Sequence, residues 1–215
     1  MRSYPMFADL RGKLCVVVGG GRVAERKVAS LLASGARVRV ISPSCTERLR
    51  ELGTHGEIEL VARSFEPADI NDALLVLAAT DDAATNLLVS RSAGPHQWVN
   101  VADRPDLCSF TVPAVVERGA LRIAVGTEGR CPGFARKMKE WLQGIIGPEY
   151  GEHLNFVAAW RTRARTLMLS PDSRRELMDR LLDDALLELT RRGDRAARDR
   201  EAERFAAGLL GRKEG

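Results

Sequence analysis

The sequence predicts an α/β protein: a Rossmann-type parallel sheet covered by helices, then an antiparallel hairpin region, then a C-terminal helical domain. Three observations predict it. Short, continuously apolar runs alternate with helix-period segments through the first hundred residues, the pattern of parallel strands buried on both faces. Two β-rich runs then follow with no helix between them, as in a hairpin. From residue 152 onward only helical spacing remains.

Each element has its own signal. Leu14-Cys15-Val16-Val17-Val18 is a β-branched run that ends in three glycines, and it predicts the first strand. A helix over 24–32 places Val28, Leu31 and Leu32 on one face, and Gly35 supplies its stop. Strands are expected at 36–41, 57–61, 73–79 and 98–101, with a helix over 83–91 between the last two. Residues 110–116 and 121–125 form the hairpin arms around Glu117-Arg118-Gly119-Ala120. Residues 132–146 read as a basic helix stopped by Gly147-Pro148. Ser173 and Glu176 have capping-box spacing and open an amphipathic helix carrying Leu177, Met178, Leu181, Leu182, Ala185, Leu186 and Leu189. The expected regions are a sheet domain over 1–110, a hairpin-and-helix region over 111–150, and a helical domain over 151–215.

Composition narrows the function classes. With 45% hydrophobic and 29% charged residues in 215, the chain can bury a core, which excludes a disordered or collagen-like protein. No apolar run approaches the ~20 residues that cross a bilayer, and Asp9 interrupts the N-terminus before a signal-type stretch develops, so a cytoplasmic protein without membrane contact is expected. Cys15, Cys45, Cys108 and Cys131 form no C-x-x-C pair, and His55, His96 and His153 are scattered, so reduced thiols and no metal site are expected. The net charge of +4 lies entirely after residue 110. A nucleic-acid binder concentrates positive charge far more strongly, so no nucleic-acid partner is expected, whereas an anionic small molecule is compatible.

Gly19-Gly20-Gly21-Arg22-Val23-Ala24 fits G-x-G-x-x-A between a strand and a helix, the arrangement that binds a dinucleotide. Gly19 allows the tight turn, Gly21 lets the backbone approach a pyrophosphate at the positive helix terminus, and Ala24 allows close helix–strand packing. The acid expected ~20 residues on, for the ribose hydroxyls, is missing. Ser42 or Ser44, flanking Pro43, can offer a neutral hydrogen bond instead, which leaves NAD and NADP undivided by the residues alone. Ala79, Thr80 and Asp81 end the fourth strand, where small side chains leave room for a nucleoside; Thr80 or Asp81 equally suits a helix N-cap. Asn100 and Asp103 end the fifth strand at the same edge, where a carboxylate can accept a proton.

These stretches, in this order and spacing, resemble the precorrin-2 dehydrogenase family of sirohaem biosynthesis. The resemblance rests on Tyr4-Pro5-Met6-Phe7, Val18 to Lys27, Ala78-Ala79-Thr80-Asp81-Asp82, Val99 to Asp103, Phe110-Thr111-Val112-Pro113-Ala114 and Pro132-Gly133-Phe134-Ala135-Arg136. It implies NAD-dependent oxidation of precorrin-2 to sirohydrochlorin, with ferrous iron insertion in some members. It also implies Asp103 as the catalytic carboxylate, Arg22-Val23 and Pro43-Ser44 as cofactor contacts, and a homodimer whose partner chain contributes to the cleft. Precorrin-2 is a polycarboxylate, so Arg104, Arg136, Lys137 and Lys139 are candidates to clamp it, and Asn100 and Thr127 are further substrate contacts. Gly126-Thr127-Glu128-Gly129-Arg130-Cys131-Pro132 departs from the family's usual loop, with Glu128 for a glycine and Cys131 for a serine, while Thr127 keeps a hydroxyl. With no methyltransferase module after residue 215, the chain is not expected to make precorrin-2 itself. A non-catalytic nucleotide-binding regulatory module is the alternative, using the same glycine turn without Asp103 or a basic cleft.

Overall fold

The computed structural model describes residues 4–167 and 169–211. It forms two compact units: one runs through Val112 and takes in Glu128–Arg130, and the other comprises Pro113–Thr127 and the chain from Cys131 onward.

The first unit is a five-stranded, wholly parallel sheet: β1 (Leu14–Val18), β2 (Arg37–Ile41), β3 (Glu59–Val61), β4 (Leu75–Ala78) and β5 (Trp98–Val101), in the spatial order β3-β2-β1-β4-β5. The chain winds outward from β1 to β3, then crosses back to β4, so the strand order reverses at β1 and leaves a crevice at the carboxyl ends of β1 and β4. Alternation along the strands divides the core in two. Cys15, Val17, Val38, Val40, Leu75 and Leu77 pack with α1 (Arg22–Ala33) and α2 (Glu47–Thr54) through Ala24, Val28, Leu31, Leu49 and Leu52. Val16, Val18, Ile41, Val76, Ala78, Val99 and Val101 pack on the other face with Ile70 and with Val89 of α3 (Ala83–Ser92). Each fully buried aliphatic contributes about 1.5–3 kcal/mol, so these two clusters hold the sheet.

After β5 the chain turns back along that strand. Ser109 exchanges hydrogen bonds with Val99 through its backbone N–H and its hydroxyl, and Val101 N–H donates to Cys108 Sγ at 3.2 Å.

The second unit holds the hairpin β6 (Ala114–Arg118) and β7 (Leu121–Val125), followed by α4 (Pro132–Ile145), α5 (Pro148–Thr166), α6 (Pro171–Leu181), α7 (Asp184–Arg191) and α8 (Arg195–Gly211). Phe156, Trp160, Leu177, Leu181, Leu186, Ala202 and Leu209 form its core. Among the described residues no helix is long and apolar enough to cross a membrane.

Several elements differ from the sequence reading. The first hairpin arm begins at Ala114 rather than residue 110, because Pro113 has no N–H to give a ladder, and Glu117 and Arg118 stay paired with Arg122 and Leu121. The turn is therefore two residues, with Gly119 at φ +60° in its first position. The basic helix α4 does stop before Gly147-Pro148, and the same pair opens α5, with Gly147 as its cap and Pro148 at the first helical position, where a proline loses nothing. Ser173 is not the cap of α6: Ser170 caps it by accepting from Ser173 N–H, and Pro171 follows at the first helical position. The long apolar stripe is split between α6 and α7 at Leu182-Asp183, which leaves Leu182 and Ala185 exposed while Leu177, Leu181 and Leu186 are buried.

Candidate functional site

The glycine turn links β1 to α1 at the reversal of strand order. Gly19 has φ +119°, and a Cβ there would lie 2.3 Å from the Ala79 carbonyl oxygen, so the turn passes against the end of β4 only because no side chain is present. Gly20, a free position in the motif, is equally constrained: a Cβ would lie 2.0 Å from Ser44 O, and its own carbonyl accepts from Thr46 N–H at 2.9 Å. Gly21 differs from both. It is the N-cap of α1 at φ −82°, and no atom lies within 4 Å of the place its Cβ would take. A glycine cap brings no side chain to the first-turn N–H groups of Arg22, Val23 and Ala24, which stay available at the positive end of a twelve-residue helix. A turn that tolerates no Cβ at two glycines, and has clear space above the third, fits a dinucleotide's phosphates.

The other cofactor candidates lie around this turn. Arg22, Val23, Pro43 and Ser44 are exposed. Ser42 is buried and its hydroxyl donates to Ser44 O at 2.7 Å, so the exposed Ser44 hydroxyl is the one facing solvent. Ala79 and Thr80 are half-buried and Asp81 is exposed. Neither Thr80 nor Asp81 caps α3: Asp82 does, accepting from Ala84 and Thr85 N–H, because its carboxylate lies one residue nearer the helix and reaches the second and third turn donors. Thr80 Oγ1 instead accepts from Asp82 N–H, and Asn86 Nδ2 donates to Thr80 O, which fixes the loop.

At the end of β5, Asn100 is held on three sides. Its Nδ2 donates to Phe110 O at 3.1 Å and approaches Cys108 Sγ at 3.6 Å, which turns Oδ1 toward Lys27 Nζ at 3.1 Å. The amide expected to meet substrate is thus engaged within the protein. Asp103 is exposed and sits at φ +58°, in the left-handed region that asparagine and aspartate tolerate best among residues with a side chain. The Cys108 thiol braces this turn by donating to Arg104 O and Val101 O. The Arg104 guanidinium makes a forked contact with Asp106, at 2.9 and 2.7 Å, rather than reaching outward. That pair raises the Arg104 pKa and lowers that of Asp106. It is solvent-exposed and weak enough to exchange for another carboxylate.

In the second unit, Thr127 Oγ1 accepts from Cys131 N–H at 3.4 Å, and Arg136 and Lys137 are exposed on α4, Lys137 3.9 Å from Glu140. Glu128 adopts φ +54°, a conformation suited to the glycine it replaces, and a Cβ at the neighbouring Gly129 would meet Pro105 at 3.6 Å. Among the described residues no group of three or more His, Cys, Asp or Glu is placed to hold a metal ion.

Lys27 is the residue that sequence reasoning passed over. Burial pushes its pKa below the usual lysine value; Cys108 opposes this, Arg26 adds to it, and Asp103 opposes it. Its signal was present: Ala24, Lys27, Val28 and Leu31 occupy i, i+3, i+4 and i+7 of α1, so a cation stands in the buried stripe.

A family model described as "Putative NAD(P)-binding" matches residues 6–114. The chain is 40% identical to the siroheme synthase of Methylobacillus flagellatus over 176 residues, 81% of this chain and 38% of that protein. It is 37% identical to siroheme synthase 1 of Aeromonas salmonicida over 215 residues, 99% of this chain and 46% of that one. The chain thus spans less than half the length of these curated relatives. A solved structure titled "SirC, precorrin-2 dehydrogenase" is similar over 96% of this chain and 100% of its own, with a TM-score of 0.82 and 26% identity. Glycine turn, strand order and family match agree, and the chain belongs to this NAD(P)-binding family.

Proposed function

We propose that this chain oxidises precorrin-2 to sirohydrochlorin with NAD as the acceptor. The observation that carries the reading is Asp103, raised on a left-handed turn at the carboxyl end of β5, on the sheet edge that also bears the glycine turn. The names of the relatives and of the similar solved structure support the choice of tetrapyrrole. Oxidation removes a hydride and a proton. Bound nicotinamide supplies the hydride acceptor. Gly19 and Gly21 with the N-terminus of α1 hold the dinucleotide, flanked by Arg22, Val23, Pro43, Ser44, Ala79, Thr80 and Asp81. Asp103 takes the proton. Arg104, Thr127, Arg136 and Lys137 meet the substrate's carboxylates, and Asn100 serves by positioning. NAD is favoured over NADP because the exposed polar side chain in the loop after β2 is the neutral Ser44 hydroxyl, which suits a ribose hydroxyl.

A homodimer belongs to this reading. Phe134, Trp141 and Ile145 lie exposed on α4 at 58%, 58% and 51%, an apolar surface that a second copy would cover. Light scattering on the native chain and on Trp141→Glu checks it: dimer and monomer are the expected masses.

Anaerobic incubation with precorrin-2 and NAD, followed by absorbance, tests the activity. The sirohydrochlorin spectrum is expected, and NAD binding without it is the signature of a regulatory module. Adding ferrous iron to sirohydrochlorin asks whether the carboxylate also accepts pyrrole protons: a rate above the spontaneous one that vanishes in Asp103→Ala assigns both steps to it.

A further inference from the structure

We propose that Lys27 forms a carboxylate-binding subsite for the substrate, its ammonium oriented toward the reacting edge by Asn100. This rests on the dehydrogenase reading above and adds to it a residue that reading does not use.

Lys27 differs from the ion-paired cations of the sheet unit, among them Arg39, the other half-buried one. Arg11, Arg39, Arg48, Arg50, Arg63 and Arg104 each lie within ion-pair distance of a carboxylate. Lys27 is half-buried, yet among the described residues its hydrogen-bond partner is a neutral amide oxygen and no carboxylate comes within ion-pair distance. A partly desolvated ammonium with one neutral acceptor has two further N–H donors to place, and a charged acceptor satisfies them best. Its position is also dictated from outside itself. Leu77 pairs with Asn100 in register, and Leu77 faces the α1 side of the core, so Asn100 points to that side. Phe110 and Cys108 then fix which end of the amide meets the lysine. The lysine is therefore held from β5 and kept off the phosphate site. It begins five residues beyond the first residue of α1, about 7.5 Å along the axis, and its Nζ is directed to the strand that leads into Asp103. A polycarboxylate macrocycle whose reacting carbon lies at Asp103 would bring a side-chain carboxylate to this ammonium.

Kinetics and direct binding decide it together. Lys27→Met is expected to raise KM for precorrin-2, and the Kd of the NAD-free protein for sirohydrochlorin, by about 10- to 100-fold, the loss of one charge-assisted hydrogen bond. In that variant kcat should change far less and Kd for NAD should stay at its native value. Lys27→Arg should recover most of the lost affinity, and Asn100→Ala should show a smaller rise in KM because the ammonium remains but is no longer aimed. Thermal unfolding of each variant separates binding from folding, since Lys27→Arg keeps the charge in any fold-competent protein. Unchanged tetrapyrrole KM and Kd in Lys27→Met overturn the subsite while sirohydrochlorin production keeps the dehydrogenase reading. A rise in Kd for NAD equal to that for tetrapyrrole also overturns it, by moving the lysine to the cofactor's phosphates. Native protein that binds sirohydrochlorin through Lys27 but forms none from precorrin-2 retains the subsite and removes the dehydrogenase reading.

Discussion

The sheet unit and the helical unit handle buried polarity in opposite ways. The two sheet cores consist of apolar chains, with Cys15 and Phe65 among the aliphatics, and this unit's buried polar side chains, Ser42 and Asn86, lie beyond β2 and in the first turn of α3. The helical unit carries polar groups in its middle. His153 Nδ1 lies 3.1 Å from Thr190 Oγ1 and its Nε2 2.9 Å from Leu181 O, while Arg198 stacks over the Phe156 ring at 4.1 Å and bonds Glu152. The difference follows from backbone bonding. Parallel strands satisfy their peptides laterally along the whole sheet, so polar side chains gather at the carboxyl edge, where ligands bind. Helices satisfy theirs along the axis, and side chains must join one helix to the next. Substitution at the edge should therefore separate folding from activity wherever the protein leaves the position free, whereas protonation should act on the helical core.

The largest effect is expected from Gly19→Ala. The added methyl overlaps Ala79 O and the φ of +119° suits only glycine, so a loss of about 3 kcal/mol or more in urea unfolding should accompany lost NAD binding. Gly21→Ala is the contrast: nothing in the protein opposes it, so stability should hold within about 0.5 kcal/mol while the Kd for NAD rises. If both variants unfold alike, the turn is a scaffold and not a cradle.

Asp103→Asn ranks next. Asparagine tolerates the left-handed turn but takes no proton, so turnover should fall by about 10²–10⁴ with NAD affinity and thermal midpoint near native. Loss of NAD binding instead would make the carboxylate structural.

The helical unit answers to pH. Burial lowers the His153 pKa, more than the Leu181 carbonyl raises it, and Arg198 lowers it further. The unfolded chain then takes up a proton first as pH falls. Stability from neutral His153 is complete above about pH 6.5 and declines as the pH drops toward the folded value. Urea midpoints between pH 8 and 5 should show this slope, and His153→Gln should flatten it; an unchanged slope would assign it to other groups.

The smallest effect is Glu128→Gly, which relieves a left-handed φ of +54° and should raise stability by about 1 kcal/mol in the same measurement.

Much of the sheet was legible because its strands are short apolar runs ended by glycine or a polar turn, and the position of Gly19 and Asp103 at the carboxyl edge was legible because each follows such a run. What escaped was set by contacts distant in sequence. Helix α2 went unread because eight residues carry only Leu49 and Leu52 inward, although Thr46 marks its start by accepting from Leu49 N–H. The role of Gly20 depends on Ser44, that of Asn100 on Lys27 and Phe110, and the break at Leu182 on how two helices share one core.

The chain segment that returns along β5 has a further consequence, for how the folded protein meets other copies of itself. A sheet's outermost strands are templates on which other chains can add themselves. Here Ser109 and Cys108 occupy the outward donors and acceptors of Val99 and Val101, and the opposite rim, β3, is only three residues long. Neither rim offers a row of open peptide groups long enough to seed intermolecular pairing, so a valine-rich sheet is shielded from aggregation by its own chain rather than by added charge.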